Sequence, residues 1–314
     1  MCKYLSTSAR TMNQLTILGC GSAKPTKTNT PSSQIVELSD KQFLVDVGEG
    51  AQITMQRMGV HTNRLDHIFL SHLHGDHCFG LLGLLSTWGM TGRTRSICIH
   101  AHADLEKLLA PLLSYFCQEM PYEVRFHAIN PNHHEVIYDD RTLTVTSLPL
   151  KHKVPCCGFL FEQKERLRHI KGELIEHFRI PLCEVPRIKE GADFTTDDGR
   201  VIPNEQLTTP ATPPIRYAYC SDTMYSERIV PWIEGIDYLY HEATYFHQDI
   251  EKAKRNMHST ALQAATIAKM ANVRTLIIGH LSSGIKDKDP LLREAQSVFP
   301  NTILAQEKTI YELN

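Results

Sequence analysis

An α/β fold, with helices covering the faces of β-sheets, is predicted for this 314-residue chain by three observations. Short runs rich in β-branched and aromatic residues alternate with longer helical patterns, as strands packed under helices require. Apolar residues make up 42% of the chain and charged residues 22%, enough apolar material for a sizeable core. Five of the strand-like runs end on a histidine or a carboxylate, and groups so placed gather along one edge of an α/β sheet.

Taken in order, strands are expected at 15–18, 34–38 and 42–46, punctuated by Gly19-Cys20-Gly21-Ser22 and Gly48-Glu49-Gly50. A helix at 51–58, a strand at 66–71 and a helix at 77–86 come next, then a strand at 96–100 and a helix at 104–116. Leu143, Val145 and Leu148 mark a strand at 141–150. In the second half, strands at 217–220, 238–240 and 275–278 surround an Ala-rich helix at 260–270, opened by His258-Ser259. Residues 1–12 are expected to be a disordered lead-in, too polar for the core of a signal peptide. The remainder, 13–314, is expected to form one domain with an arm inserted at about 160–205. That region is charged, then rich in Pro, Thr and Asp, with little apolar periodicity, and a loop so long reads as a functional protrusion rather than core.

Bulk properties exclude several classes. No apolar run reaches eighteen residues, so no membrane span is expected. Nine cysteines scattered through apolar runs read as reduced thiols of a cytoplasmic protein, and Cys156-Cys157 as buried thiols rather than ligands. A net charge of −2 creates no global field toward nucleic acid, and DNA is not an expected partner. Local cations would have to meet any phosphate, yet 161–200 carries eight Lys or Arg against nine Asp or Glu.

The chemistry lies at the ends of the strands. Ile68-Phe69-Leu70-Ser71 runs into His72, Leu148-Pro149-Leu150-Lys151 into His152, and Tyr217-Ala218-Tyr219-Cys220-Ser221 into Asp222. Tyr238-Leu239-Tyr240 runs into His241-Glu242, and Leu276-Ile277-Ile278-Gly279 into His280. His72 and His74 stand two apart on an extended segment, so their imidazoles point the same way and can share one metal. Gly75 permits a turn that aims Asp76 and His77 at a second metal. Asp222 is the natural bridging carboxylate, His152 completes the first set and His280 the second. Two metals so held clamp phosphoryl oxygens, which makes the chain a metal-dependent phosphodiesterase. Imidazole and carboxylate donors suit Zn²⁺, with Mn²⁺ or Fe²⁺ as alternatives. His61, His67, His100, His102, His133, His134 and His169 read as loop or surface residues, and Asp46 as a buried structural acid near the site.

The run His72-Leu73-His74-Gly75-Asp76-His77 resembles the signature of the metallo-β-lactamase fold superfamily, and its flanks resemble ribonuclease Z more narrowly. Gly19 to Thr26, Asp46 to Gln52, Gly80 to Leu85, Leu150-Lys151-His152, Ser221-Asp222-Thr223, His241-Glu242-Ala243-Thr244, His258-Ser259-Thr260 and Gly279-His280 stand in that family's order, from about Asn13 onward. The resemblance implies a four-layer αββα sandwich with the site along one edge. It implies an endoribonuclease, holding two Zn²⁺ per subunit, that removes 3′ trailers from precursor tRNA as a homodimer, each arm presenting tRNA to the other subunit. Water activated by the metals would attack phosphorus, with Asp76 as proton acceptor, His258 as the acid for the leaving ribose oxygen and Glu242 orienting that imidazole. The chain departs from the family where Thr28-Asn29 replaces the common Arg-Asn, where no Arg-Tyr comes after Ser282, and where the arm lacks a Gly-Pro turn. A phosphodiesterase acting on a smaller substrate and a noncatalytic RNA-binding relative are the alternatives.

Overall fold

Runs of β-branched and aromatic residues suit a pleated surface covered on both sides, and they form the strands here. The computed structural model describes residues 13–314, and the lead-in expected at 1–12 lies outside them. Two compact units divide the chain: the residues up to Glu162 together with Ile215–Asn314, and Gln163–Pro214.

The larger unit opens with strands β1 (Gln14–Gly19), β2 (Ser33–Leu38), β3 (Lys41–Val45), β4 (Leu65–Phe69), β5 (Ile97–His102) and β6 (Val124–Ile129). Interleaved with them are helices α1 (Ala51–Met58), α2 (Gly75–Cys78), α3 (Leu81–Met90) and α4 (Asp104–Phe116). Strands β7 (Val136–Asp139), β8 (Leu143–Pro149) and β9 (Cys157–Gln163) begin a second sheet.

The smaller unit, Gln163–Pro214, pairs β10 (His169–Ile170) and β11 (Phe194–Thr195) with β13 (Thr208–Thr209) and β12 (Val201–Ile202) respectively. Ile180, Ile188, Phe194, Ile202 and Leu207 bury a small core of its own. Their spacing matches neither helix nor strand, because turns bring them together, so the sequence concealed it.

The chain then returns with β14 (Arg216–Cys220), β15 (Tyr238–Glu242), β16 (Thr275–Gly279) and β17 (Thr302–Leu304), and β18 (Thr309–Glu312) rejoins the first sheet beside β1. The seven-stranded orders are β18-β1-β2-β3-β4-β5-β6 and β17-β16-β15-β14-β9-β8-β7. Phe43 and Phe69 of the first sheet meet Phe159, Phe161, Tyr217 and Tyr219 of the second. Helices α1, α3 and α4 cover the outer face of the first through Met55, Leu81, Leu85 and Leu109. A helix at Ala261–Met270 covers the second through Ala261, Ala264, Ala265 and Ala268. This is the expected αββα order. With both faces covered, β1, β14, β15 and β16 are buried at nearly every residue, and each fully buried Phe or Leu contributes about 1.5–3 kcal/mol.

Two local features position the site. The Ala261–Met270 helix starts with a capping box, in which Thr260 accepts from the Gln263 N–H while Gln263 reaches back to the Thr260 N–H. The helix expected at 77–86 is split into α2 and α3 where Gly80 lies against the loop after β3 and bonds to it. A Cβ on Gly80 would come within 2.4 Å of the Gly48 carbonyl oxygen. Gly80 N–H donates to the Val47 carbonyl (2.9 Å), and Val47 N–H donates to the His77 carbonyl (2.8 Å), so the motif is zipped to that loop. Among the described residues, no helix is long and apolar enough to cross a membrane.

Candidate metal centre

Strand ends deliver the side chains. His72, His74, Asp76 and His77 come after β4, His152 after β8, Asp222 after β14 and His280 after β16, while Glu242 is the last residue of β15. Parallel pairing of β14, β15 and β16 puts the last three at one edge. The structure brings all seven expected ligands together in two sets.

In the first set, His74 Nδ1 lies 3.1 Å from His72 Nε2 and 3.2 Å from His152 Nε2, and Asp222 Oδ2 lies 3.7 Å from both Nε2 atoms. In the second, Asp222 Oδ1 lies 3.4 Å from His77 Nε2 and 3.1 Å from His280 Nε2, and Asp76 Oδ2 lies 3.7 and 3.5 Å from the same nitrogens. Metal–nitrogen bonds of about 2.0–2.1 Å in a tetrahedron put donors roughly 3.3 Å apart, so both sets match the spacing an ion demands. A second observation supports that fit. His77 Nε2, His280 Nε2 and Asp222 Oδ1 are all buried, converge on one another and have no hydrogen-bond partner in the protein. Buried polar atoms are rarely left so, and three orphans meeting at one point are what a cation would satisfy. Every charged group that Asp76 and Asp222 meet at ion-pair distance is a histidine, with no Lys or Arg among the described residues.

Neighbouring groups fix the ligands' orientation. His77 Nδ1 donates to Asp46 Oδ2 at 2.7 Å, and His152 Nδ1 donates to the Met257 carbonyl at 2.9 Å, which turns each Nε2 toward the centre. Asp46 also accepts from Ser71 N–H (2.8 Å), Ser71 Oγ (2.9 Å) and Tyr219 Oη (2.7 Å). Ala23 N–H, in the first loop, donates to Asp76 Oδ2 at 2.7 Å. Asp46 and His280 both sit in left-handed backbone, at φ 54° and 56°, a strain that gathers at functional positions.

Electrostatics keep the donors ready. Burial alone would raise the Asp76 and Asp222 pKa values, but His280 and His77 overcome it and hold both carboxyls well below their usual range. Burial, then the neighbouring His77 charge, pushes His72 toward its neutral, ligating form. Glu242 Oε1 lies 2.8 Å from His258 Nδ1, and the same carboxylate accepts from the Thr223 and Thr244 N–H groups and from Thr244 Oγ1. Burial works against a charged His258, yet Glu242, then Asp222 and Asp76, lift its pKa to about 9.

Other expectations are corrected or sharpened. His100, read as a surface residue, is only 3% exposed on β5, and His67 is half-buried beside it, both apart from this centre. Cys156 is buried with Sγ 3.4 Å from the Asp222 carbonyl, and burial keeps it a protonated thiol. Sequence reasoning missed Ser71, Tyr219, Thr244 and the backbone of Ala23 and Met257. Strand alternation was the available signal for Tyr219, whose ring must face the other sheet.

A family model described as Anti-Pycsar protein Apyc1 matches residues 13–167. Among curated relatives, the ribonuclease Z of Bacteroides thetaiotaomicron is 51% identical over 301 residues, covering 96% of this chain and 95% of that protein. That of Porphyromonas gingivalis is 51% identical over 297 residues, covering 95% and 98%. Among solved structures, the short form of human tRNase Z superposes with a TM-score of 0.68 at 21% identity, covering 96% of this chain and 99% of that one. The metallo-β-lactamase fold protein YhfI of Bacillus subtilis gives 0.67 at 20%, with the same coverage. Half-identical sequence over nearly the full length of both proteins leaves one assignment: the chain belongs to the ribonuclease Z family, metal-dependent hydrolases of the metallo-β-lactamase fold.

Proposed function

We propose that the chain is a zinc-dependent endoribonuclease that cuts the 3′ trailer from precursor tRNA, leaving a 3′-hydroxyl on the tRNA and a 5′-phosphate on the trailer. The observation that carries this is its 51% identity, over nearly the whole chain, to proteins called ribonuclease Z. Two Zn²⁺ ions suit the donors: His72, His74 and His152 with Asp222 Oδ2 for one, and Asp76, His77 and His280 with Asp222 Oδ1 for the other. When bound, the metals supply Lewis acidity to the phosphate oxygens and lower the pKa of water toward neutrality.

The chain's own groups then handle protons. As the water oxygen bonds to phosphorus, Asp76 accepts the proton it loses. The bond from phosphorus to the ribose 3′ oxygen breaks with its electrons on that oxygen, and His258 donates the proton it needs. Glu242, 2.8 Å from His258 Nδ1, holds the ring charged and oriented. Each such transfer is worth about 10²–10⁴ in rate. We assign the segment around 160–205, nearly all of it in the compact unit Gln163–Pro214, the role of an arm for tRNA in a cytoplasmic homodimer.

A precursor tRNA with a 3′ trailer, incubated with the protein and Zn²⁺ or Mn²⁺, should be cut after the discriminator nucleotide. The Asp76→Ala variant should lose at least about a hundredfold in rate with its circular dichroism unchanged. An uncut trailer with both metals would overturn the proposal. If a chromogenic phosphodiester is turned over while tRNA is not, the substrate is a small phosphodiester.

A further inference from the structure

The first sheet carries another group of metal-binding side chains, which shares no residue with the centre above. His67 on β4 pairs in register with Cys98 on β5, and His100 on β5 pairs with His127 on β6. Residues two apart on a strand share a face, so these four side chains project together on the face that carries Phe69, beside the edge strand β6.

Their donor atoms lie close together. His67 Nδ1 lies 3.0 Å from His100 Nε2, close to the 3.1 and 3.2 Å between imidazole nitrogens of the first metal set. One donor atom from each of His67, Cys98 and His100 falls within 4.8 Å of the others. The His100 ring is locked in place, stacked on Phe69 at 4.4 Å and 13° and 3% exposed. Burial, with the neighbouring His67 and His127 rings, drops the His100 pKa to about 3, and burial lowers that of His67, so both imidazoles are neutral. A surface groove of about 400 Å³, lined by Asp66, His67, Cys98 and Arg125, gives an entry path.

We propose that His67, Cys98 and His100 form a separate Zn²⁺ site of two imidazoles and one thiolate. On binding, the Cys98 S–H bond breaks, its proton passes to water, and the sulfur electron pair forms the metal–sulfur bond. The imidazoles bind through neutral lone pairs as the hydrogen bond between them gives way. Arg125, paired in register with Cys98, favours the thiolate against the burial that opposes it. A tetrahedral ion then keeps one position for an outside ligand. A thiolate distinguishes this site from the catalytic centre, whose donors are imidazoles and carboxylates only.

The test uses the full chain, stripped of metal with its thiols reduced and titrated with Co²⁺ alone. A near-ultraviolet thiolate-to-Co²⁺ charge-transfer band should appear in the parent protein and vanish in Cys98→Ser. Zn²⁺ at saturation should fall by one equivalent per chain in that variant, with phosphodiester turnover unchanged. His67→Gln, at a half-buried position, should weaken the Co²⁺ affinity read from the band by at least about tenfold. No band in the parent, or the same band in Cys98→Ser, would overturn the site. A band lost in Cys98→Ser but held at unchanged affinity in His67→Gln would also overturn it, since a lone thiol would then be the binder.

Discussion

Replacing Asp46 by Asn changes almost no volume, and the φ of 54° at this position is one that Asn tolerates, so its effect isolates hydrogen-bond polarity. Asp46 Oδ1 accepts from Ser71 N–H, while Oδ2 accepts from three donors, His77 Nδ1, Ser71 Oγ and Tyr219 Oη. If the amide keeps its carbonyl on the Oδ1 side, its NH₂ group faces those three donors. Ser71 Oγ can turn to Ser221 Oγ, 2.9 Å away, and the Tyr219 hydroxyl can turn to accept. His77 has no such escape, because a ring that kept its only proton on Nε2, the atom facing Asp222, could not bind a metal there. One or two buried groups therefore stay unsatisfied, at about 1–3 kcal/mol each, for roughly 1–6 kcal/mol in all. Zn²⁺ affinity of the set containing His77 should fall about 10–100-fold, the usual effect of losing the group that orients a ligand. The set containing His74 and His152, which Asp46 reaches only through Ser71 and His72, should change less. Competition against a chromophoric chelator reads both affinities, and thermal unfolding of the metal-free protein reads the stability. Affinities within twofold of the parent and an unchanged melting temperature would refute the reasoning.

The same physics sets two further outcomes. His258→Ala should slow cleavage of precursor tRNA by about 10²–10⁴-fold, but slow a nitrophenyl phosphodiester far less, because that leaving group needs no proton. Equal losses on both substrates would make His258 a positioning residue. Asp140 accepts from Lys41, Tyr138 and the Thr142 and Leu143 N–H groups. Burial opposes ionisation, but these donors hold its carboxyl well below the ordinary range. A depressed folded pKa gives stability that is present above the unfolded value of about 3.9 and lost as the pH falls below it. Melting temperature should therefore drop more steeply below about pH 4 in the parent than in Asp140→Asn, and parallel curves would contradict this.

The strands that carry ligands were legible because each runs from apolar residues into a histidine or acid, a change of chemistry visible at single-residue resolution. In the two large sheets, β6, β7, β9, β17 and β18 were not foreseen. Val124–Ile129 mixes exposed and buried residues on an edge, and Thr309–Glu312 is half-exposed throughout, so neither shows the apolar run that marks a covered strand. The ligand-orienting groups were less visible than the ligands. Tyr219 reaches Asp46 only because two sheets pack face to face, and Ser71 because β3 and β4 lie side by side, pairings no local pattern encodes. His67 and His100 were misread for the same reason: their shared face depends on parallel register between β4 and β5.

The way the donors are divided between the sheets couples folding to metal binding. The loop after β4, in the first sheet, supplies His72, His74, Asp76 and His77, and the second sheet supplies His152, Asp222 and His280. Each set takes donors from both, and Asp222 belongs to both sets, so neither sheet can complete a site alone. Any ion that binds therefore adds its free energy to the association of the two sheets. The apo chain carries the matching costs at this seam. Strain sits at His280, a left-handed residue at a strand end, and the orphaned polar atoms His77 Nε2, Asp222 Oδ1 and His280 Nε2 meet across the seam. A protein selected for stability without metal would have replaced these with apolar contacts. Their retention at the one seam where a cation would satisfy all three marks the centre as built for metal rather than left over from packing.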